Sequence, residues 1–279
     1  MTIISTEWLS SNFNDVKIID SSWHLPISKR NSKKEFDRDH IINAIYFDLD
    51  YNSNLDSDLP HMMPSKDRWE KIISSMGISN NDKIVIYDNS ELFSSCRCWF
   101  SFIYFGHDSN LVHVLDGGFQ KWKMEKRPTT NEITKISQTN YKAFEKKEMI
   151  KNKNQIDENI KKKKFIIVDA RSKRRFEGKD PEPRKDVKSG SIPNSRCLPF
   201  TEIINKNHTF KNKNEILNKF KELFGSNLNE DIVFSCGSGV TASVLALAYS
   251  LINNKYVSKI YDGSWAEYGK MKKWKDQQK

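Results

Sequence analysis

Three landmarks of the sequence occur twice, in the same order and at nearly constant spacing. The pairs are VKIID (ending at Asp20) with FIIVD (Asp169), KIVIYD (Asp88) with DIVFSC (Cys236), and HVLDGGFQKW (from His113) with KIYDGSWAEY (from Lys259). A repeat spacing close to half of the 279 residues is that of a whole domain. The sequence therefore predicts a tandem duplication, with a first domain at residues 1–125, a linker at 126–144 and a second domain at 145–279.

Each half alternates short β-rich runs with longer segments of helical periodicity. A helical pattern at 70–76 precedes a predicted strand at 83–87, and another at 216–223 precedes a predicted strand at 232–234. This alternation is typical of an α/β fold in which each domain has a mainly parallel sheet with helices on both faces. The linker contains Pro128, polar residues and no clear periodicity.

The bulk composition excludes several function classes. The formal net charge is +10, but the lysines are scattered among asparagines without interleaved aromatic residues or a nucleic-acid motif, so we expect a solvated basic surface and no nucleic-acid partner. No stretch approaches roughly 18 apolar residues, and the first residues lack a basic region followed by an apolar run, so we expect a cytoplasmic protein without a membrane partner. Cys96 and Cys98 have no second pair to complete a zinc site.

The segment around Cys236 combines a strand, a turn and a helix. DIVFSCGSGVTASVLALAYSLINN predicts a buried strand ending at Cys236, a turn with Gly237 and Gly239, and a helix beyond it. The helix start and the turn offer unpaired N–H groups, which favour a thiolate and predict a nucleophilic cysteine rather than a buried structural one. The first repeat has Asp88 at the equivalent position without paired glycines, which predicts a single active site.

The loop CGSGVT, from Cys236 to Thr241 and including Val240, resembles the active-site loop of the 3-mercaptopyruvate sulfurtransferases, a branch of the rhodanese superfamily. LDGGFQKW, YDGSW, the segment RRFEGKDPEPR and the tandem organisation extend the resemblance over nearly the whole chain. It implies two rhodanese-like domains of which the second is catalytic. It also implies transfer of sulfane sulfur from 3-mercaptopyruvate, through a Cys236 persulfide, to a thiol acceptor such as thioredoxin or to cyanide. Pyruvate is released, and no cofactor or metal takes part.

The same resemblance assigns roles to five further residues. Arg175 and Arg184 match the arginines that hold the substrate's carboxylate and carbonyl, and a guanidinium fork suits that task. Ser238, His61 and Asp50 match a proposed proton relay. His61 and Asp50 belong to the first repeat, so a site that uses them has to form between the domains. Ser191 stands where the family usually has a histidine.

Residues of the same loop bear on three alternative functions. Thiosulfate sulfurtransferases of this superfamily carry basic residues where this chain has Gly237 and Ser238, which favours 3-mercaptopyruvate. Cysteine phosphatases of the same fold need an arginine six positions after the cysteine, where this chain has Ala242. A non-catalytic persulfide carrier remains an alternative, because a carrier would also need the Cys236 loop.

Overall fold

A computed structural model of the chain describes residues 2–225, 231–253 and 258–271. The first half contains, in order, β1 (Ile3–Ile4), α1 (Thr6–Ser10), β2 (Lys17–Asp20), α2 (Ser32–Arg38), β3 (His40–Ile41), β4 (Ala44–Tyr46), α3 (Lys66–Ser75), β5 (Ile84–Tyr87), α4 (Ser95–Tyr104), β6 (Val112–Leu115), α5 (Gly118–Met124) and β7 (Thr129–Thr130). The second half contains β8 (Ile150–Lys151), α6 (Lys153–Lys162), β9 (Ile166–Asp169), α7 (Lys173–Phe176), β10 (Arg196–Cys197), α8 (Lys213–Phe224), β11 (Ile232–Ser235), α9 (Val240–Asn253), β12 (Lys259–Tyr261) and α10 (Ser264–Tyr268). The predicted alternation of helices and strands is confirmed in both halves.

The two halves build sheets of the same topology. The first sheet has the strand order β1-β6-β5-β2-β4, and the second has the order β8-β12-β11-β9-β10. Neighbouring strands within these two sheets are parallel. The repeated landmarks fall on equivalent strands, since Asp20 pairs with Tyr87 in the first sheet and Asp169 pairs with Ser235 in the second. The duplication and the parallel sheets predicted from the sequence are therefore confirmed.

Alternate residues of each central strand face different helices. On one face of the first sheet, Ile18 packs in a cluster with Leu9 and Trp122, which belong to α1 and α5. On the opposite face, Ile19 packs in the cluster that contains Trp69 of α3 and residues of α4. Because successive side chains of a strand point to opposite faces, this separation puts helices on both sides of the sheet, as predicted.

Helices α4 and α9 pack against each other between the two sheets. Every residue of α4 is buried, and so is α9 from Val240 to Ser250. A helix that is buried all round needs apolar neighbours on every side, and here the two sheets and the partner helix supply them. The inner faces of both domains therefore form one continuous hydrophobic core. This packing brings first-domain loops against the loop that contains Cys236.

The predicted linker, residues 126–144, lies against the first domain. Its strand β7 pairs antiparallel with β3, and the ring of Tyr141 is buried. Near its end, the N–H of Phe144 donates to the carbonyl of Phe105 at 2.9 Å. These contacts hold the segment along the surface of the first domain. Within the described ranges, no helix combines the length and the apolar composition needed to cross a bilayer.

Candidate active site

Cys236 lies between the carboxyl end of β11 and the first residue of α9, as the sequence predicts. Only 1% of the residue is exposed. Its backbone N–H donates to Ser264 Oγ at 3.1 Å, and its carbonyl accepts from the N–H of Trp265 at 2.9 Å. Residues at the start of α10 thus bind both the N–H and the carbonyl of Cys236. The position of Cys236 is therefore set by the ends of the neighbouring strands β11 and β12.

Two glycines shape the loop that follows. Gly239 has a φ of +80°, and a Cβ at this position would lie 2.9 Å from Arg97 Nη1, so the position requires glycine. A Cβ on Gly237 would lie 3.6 Å from Arg175 Nη2 and 3.9 Å from Arg184 Nη1, which is ordinary contact. Among the described residues, the N–H groups of Gly237 and Ser238 meet no acceptor. Backbone donors beside the cysteine are therefore available to an anion.

The structure brings Arg175 and Arg184 together beside Gly237. Arg175 belongs to α7, and its Nε donates to Glu182 Oε1 at 3.2 Å. Burial lowers the pKa of Arg184 from its usual value. The negative charge available at Cys236 opposes this effect, whereas the neighbouring positive charge of Arg175 adds to it. Two half-buried guanidinium groups thus point to one anionic ligand next to the cysteine.

The relay residues named by the resemblance also meet, across the domain interface. His61 Nδ1 lies 2.9 Å from Ser238 Oγ, and His61 Nε2 lies 2.9 Å from Asp50 Oδ1. The indole N–H of Trp23 donates to Asp50 Oδ2 at 2.9 Å, and the Trp23 ring meets the His61 ring edge to face. When Nε2–H of His61 donates to Asp50, Nδ1 of the imidazole is left to accept a hydrogen bond from the hydroxyl group of Ser238.

Burial and hydrogen bonding set the protonation states of this pair. Burial lowers the pKa of His61 from its ordinary value, against the opposing effect of the Asp50 carboxylate. Burial would raise the pKa of Asp50, but the hydrogen bonds from His61 and Trp23 outweigh it and hold that pKa below its ordinary value. At neutral pH the site therefore holds a neutral imidazole next to an ionised carboxylate, which is the state in which a histidine can accept a proton.

A buried ion pair between the domains, which the sequence analysis missed, supports the His61 turn. Arg97 Nη2 of α4 lies 2.6 Å from Asp262 Oδ1 and also donates to the carbonyl of His61. Asp262 Oδ2 accepts from the N–H of Met63 at 2.8 Å. His61 itself has a φ of 59°, and these bonds hold it in that conformation. The signals in the sequence were an arginine inside an apolar helix and the repeated aspartate of LDGG and YDGS.

A second buried network, also missed, lies behind Arg175. Arg171 donates to both carboxylate oxygens of Asp169 and, through Nη1, to Glu182 Oε1 at 2.6 Å. Its guanidinium lies 4.6 Å from the centre of the Trp265 ring, which is buried in the core. Glu182 therefore connects Arg171 to Arg175. Nothing in the spacing of the segment RRFEGKDPEPR identifies Glu182 as the shared partner of two arginines.

A cleft between the domains opens beside Arg184. Its volume is about 300 Å³. The lining comes from both domains: Ser57, Asp58, Leu59, Pro60, Arg184, Asp186, Val187, Ala266 and Lys270. The first-domain part of this lining directly precedes His61. Of the proposed site residues, Arg184 lines this cleft.

The equivalent place in the first domain is closed. Asp88 stands where the second domain has Cys236, and its carboxylate accepts from the N–H groups of Ser90 and Ser95 at 2.8 Å. Burial raises the pKa of Asp88. The cavity there has a volume of only about 10 Å³, and Phe93 and Phe210 line it. The first copy thus has neither a nucleophile nor room for a ligand at this position.

Comparison with known proteins identifies the family. The rhodanese-like domain model matches residues 5–125 and 152–271. The chain is 36% identical to the thiosulfate/3-mercaptopyruvate sulfurtransferase 1 of Arabidopsis thaliana, over 95% of this chain and 75% of that protein. It is 35% identical to the 3-mercaptopyruvate sulfurtransferase and 32% identical to the thiosulfate sulfurtransferase of Mus musculus, in each case over 95% of this chain and 91% of the relative.

Solved structures agree with this assignment. The Tum1 protein from Saccharomyces cerevisiae superposes with a TM-score of 0.85 at 27% identity, over 96% of this chain and 94% of that one. SseA from Escherichia coli, described under the rhodanese fold of 3-mercaptopyruvate sulfurtransferases, superposes with a TM-score of 0.84 at 27% identity, over 95% of this chain and 99% of that one. The chain belongs to the rhodanese family, and it is a sulfurtransferase built from two rhodanese-like domains.

Proposed function

We propose that the protein is a 3-mercaptopyruvate sulfurtransferase. In this proposal, Cys236 takes the sulfur of 3-mercaptopyruvate as a persulfide, pyruvate leaves, and the sulfur passes to a thiol acceptor such as thioredoxin or to cyanide. The observation that carries the proposal is the pair of guanidinium groups beside Gly237, next to a loop without any cationic side chain. These groups suit a carboxylate and a carbonyl on a donor whose sulfur points at Cys236.

In the first step, the Cys236 thiolate attacks the sulfur atom of the donor. A sulfur–sulfur bond forms, the carbon–sulfur bond of the donor breaks, and the electron pair of that bond goes to the enolate of pyruvate. Arg175 and Arg184 stabilise the carboxylate and the developing enolate oxygen, and the N–H groups of Gly237 and Ser238 stabilise negative charge on the sulfur. The covalent intermediate divides one difficult transfer into two easier steps.

The His61–Ser238 pair moves the proton that this step requires. The thiol proton of the donor has to leave sulfur, and the enolate carbon has to gain a proton to become the methyl group of pyruvate. Ser238 Oγ lies two residues from the nucleophile and hydrogen-bonds to His61 Nδ1, so it can donate a proton while the neutral imidazole accepts one. The proton balance closes without any cofactor.

In the second step, an acceptor thiolate attacks the outer sulfur of the Cys236 persulfide. The sulfur–sulfur bond breaks, the acceptor leaves as a persulfide, and Cys236 returns to the thiolate. Cyanide can take the same sulfur and leave as thiocyanate. The cleft of about 300 Å³ between the domains is lined by Arg184, so an acceptor that binds there lies next to one of the two proposed substrate arginines.

A single-turnover experiment tests the proposal. The protein is mixed with 3-mercaptopyruvate without an acceptor, and pyruvate release and the mass of each cysteine-containing peptide are measured. We expect one pyruvate per chain and one added sulfur atom on Cys236. Cys236→Ser should release no pyruvate while keeping the thermal unfolding temperature, whereas Cys197→Ser should behave as wild type, since burial raises the pKa of Cys197 to about 12. Sulfur on another cysteine with Cys236 unmodified would refute the proposal.

Thiosulfate is the second candidate donor, because relatives at 32% and 36% identity carry thiosulfate in their names. The same experiment with thiosulfate and sulfite detection compares the two donors directly. A non-catalytic persulfide carrier gives a third outcome, in which Cys236 loads with sulfur but excess thiol acceptor produces no further turnover. We expect the wild type to prefer 3-mercaptopyruvate and to turn over repeatedly.

Two further points belong to the proposal. We assign domain limits at 1–125 and 145–279, and the matched ranges 5–125 and 152–271 support them. We assign a cytoplasmic location, supported by four cysteines that are all free, as is usual in a reducing compartment. Limited proteolysis of residues 126–144 and fractionation of cells that express the protein test these two assignments.

A further inference from the structure

We propose that Glu182 determines the donor preference of the active site by neutralising Arg175, so that the site selects a singly charged donor over a dianion. This inference rests on the proposed function, since it explains how one sulfurtransferase site chooses between two sulfur donors. The charges that surround Gly237, where the donor's anionic group has to bind, determine which donor charge is balanced.

Glu182 is the shared partner of two arginines. Its side chain is only 4% exposed. Oε1 accepts from Arg171 Nη1 at 2.6 Å and from Arg175 Nε at 3.2 Å, and Oε2 accepts from Arg175 Nη2. A carboxylate this buried forms strong charge-assisted hydrogen bonds, and it is poorly screened by salt.

Arg171 does not need the charge of Glu182 for its own balance. Its Nε and Nη2 donate to both oxygens of Asp169, at distances between 2.6 and 3.1 Å. A further N–H bond goes to the carbonyl of Gly190. Since Asp169 already compensates Arg171, the negative charge of Glu182 compensates Arg175.

Arg184 differs from Arg175 in this respect. In the part of the chain that the structure describes, no carboxylate lies within ion-pair distance of Arg184. The exposed Asp186 acts on it only at longer range, and it shares the cleft with Lys270. Apart from the Cys236 thiolate, which meets either donor alike, the arginine and carboxylate side chains around Gly237 therefore leave one positive charge without an ion-pair partner, which Arg184 carries.

One surplus positive charge matches one negative charge on the donor. The carboxylate of 3-mercaptopyruvate is balanced by Arg184, while Arg175 offers the carbonyl oxygen the N–H donors that it does not give to Glu182. Thiosulfate carries two negative charges, so one of them would remain uncompensated in a half-buried site. Removing the charge of Glu182 would leave two uncompensated arginines and so favour the dianion.

Glu182→Gln is the direct test, because glutamine has nearly the same shape and keeps one oxygen acceptor. The specificity constant kcat/KM is measured for thiosulfate and for 3-mercaptopyruvate at low salt, and the ratio of the two is compared with wild type. We expect the ratio to shift toward thiosulfate by about 10-fold or more, and most of the shift to persist as salt is added, because buried charges are poorly screened. Glu177→Gln is the matched control, because it removes one negative charge from the same segment. Glu177 pairs with Lys179 at the surface.

A second variant keeps the inference testable if Glu182→Gln folds poorly. Glu182→Asp keeps the negative charge and shortens the side chain, so the ratio should stay close to the wild-type value even where both specificity constants fall. The Tm of each variant, measured by thermal unfolding, identifies a folding defect. A shifted ratio in Glu182→Gln together with an unshifted ratio in Glu182→Asp would support charge balance, because loss of packing would affect both variants.

The outcomes separate the two claims. An unchanged ratio in Glu182→Gln, an equal shift in Glu182→Asp, or an equal shift in Glu177→Gln would overturn the role of Glu182. A wild type that prefers thiosulfate would overturn the proposed donor. The change of the ratio on substitution would still decide whether Glu182 controls it.

Discussion

His61 Nδ1 of the first domain lies 2.9 Å from Ser238 Oγ of the second domain, although 177 positions separate the two residues along the chain. The proposed nucleophile Cys236 and the serine come from the second domain, while the imidazole and its partner Asp50 come from the first. The site is therefore complete only when the domains are docked. The buried α4–α9 contact and the Arg97–Asp262 pair maintain that docking.

The proton relay predicts a specific pH dependence. Burial lowers the pKa of His61, so the imidazole stays neutral until the pH falls below that value, and activity should decline on the acid side only below the ordinary histidine pKa of about 6.5. Asp50 raises the pKa of His61, so Asp50→Asn should move this decline to still lower pH and reduce kcat. The measurement is pyruvate formation against pH. Asp48→Asn, which removes a charge from the same loop without contacting His61, should leave the profile unchanged, and an upward shift in Asp50→Asn would contradict the relay.

The two substrate arginines should differ in their sensitivity to lysine. Arg184 has no carboxylate partner among the described residues, so Arg184→Lys removes the fork that faces the donor, and kcat/KM for 3-mercaptopyruvate should fall by about 10-fold to 100-fold. Arg175 already donates to Glu182, so Arg175→Lys should lower kcat/KM for 3-mercaptopyruvate by less than Arg184→Lys does. Steady-state kinetics of both variants test this order. Equal losses would mean that the ion pair with Glu182 does not distinguish the two arginines.

Gly239→Ala should destabilise the protein. The positive φ of +80° costs an alanine about 1 kcal/mol, and its Cβ would lie 2.9 Å from the buried guanidinium of Arg97. We expect a total loss of roughly 1–3 kcal/mol in the free energy of unfolding. Gly237→Ala is the control, because its Cβ would make only ordinary contacts and should change stability by less than about 0.5 kcal/mol. Denaturant titration compares the free energies of unfolding of the two variants. Equal values would contradict a steric role of Gly239.

The interdomain ion pair should be more important than its counterpart in the duplicated half. Asp262→Asn leaves Arg97 buried without a charge partner and should lower the free energy of unfolding by about 3 kcal/mol or more. Asp116, the equivalent aspartate, accepts the N–H of Phe210 and has no ion-pair partner among the described residues, and burial raises its pKa, so Asp116→Asn should be nearly neutral. Thermal and denaturant unfolding test the contrast. A similar effect of both substitutions would show that the Arg97 pair adds nothing to docking.

Much of the fold followed from local patterns. Short apolar runs such as 84–87 and 232–235 became central strands, because strands buried on both faces need continuous apolar sequence. Cys236 was identified by its own neighbours, since a strand end, a glycine turn and a helix start are all encoded within a few residues. Arg175, Arg184 and His61 came from the family resemblance, and the structure brings them to the Cys236 loop.

The sequence by itself determined the duplication, the parallel sheets and the position of Cys236 between a strand and a helix, because apolar periodicity and turn residues act over short distances. Only the tertiary structure decided which charges balance one another around that nucleophile. From the sequence alone, Glu182 could be a surface carboxylate, and Arg97 has no evident partner inside an apolar helix. Folding of the 171–184 segment gives Glu182 its buried arginine partners, and docking of the domains gives Arg97 its buried partner Asp262. Electrostatic interactions depend on distance in space and on burial, and neither quantity is contained in the spacing of residues along the chain.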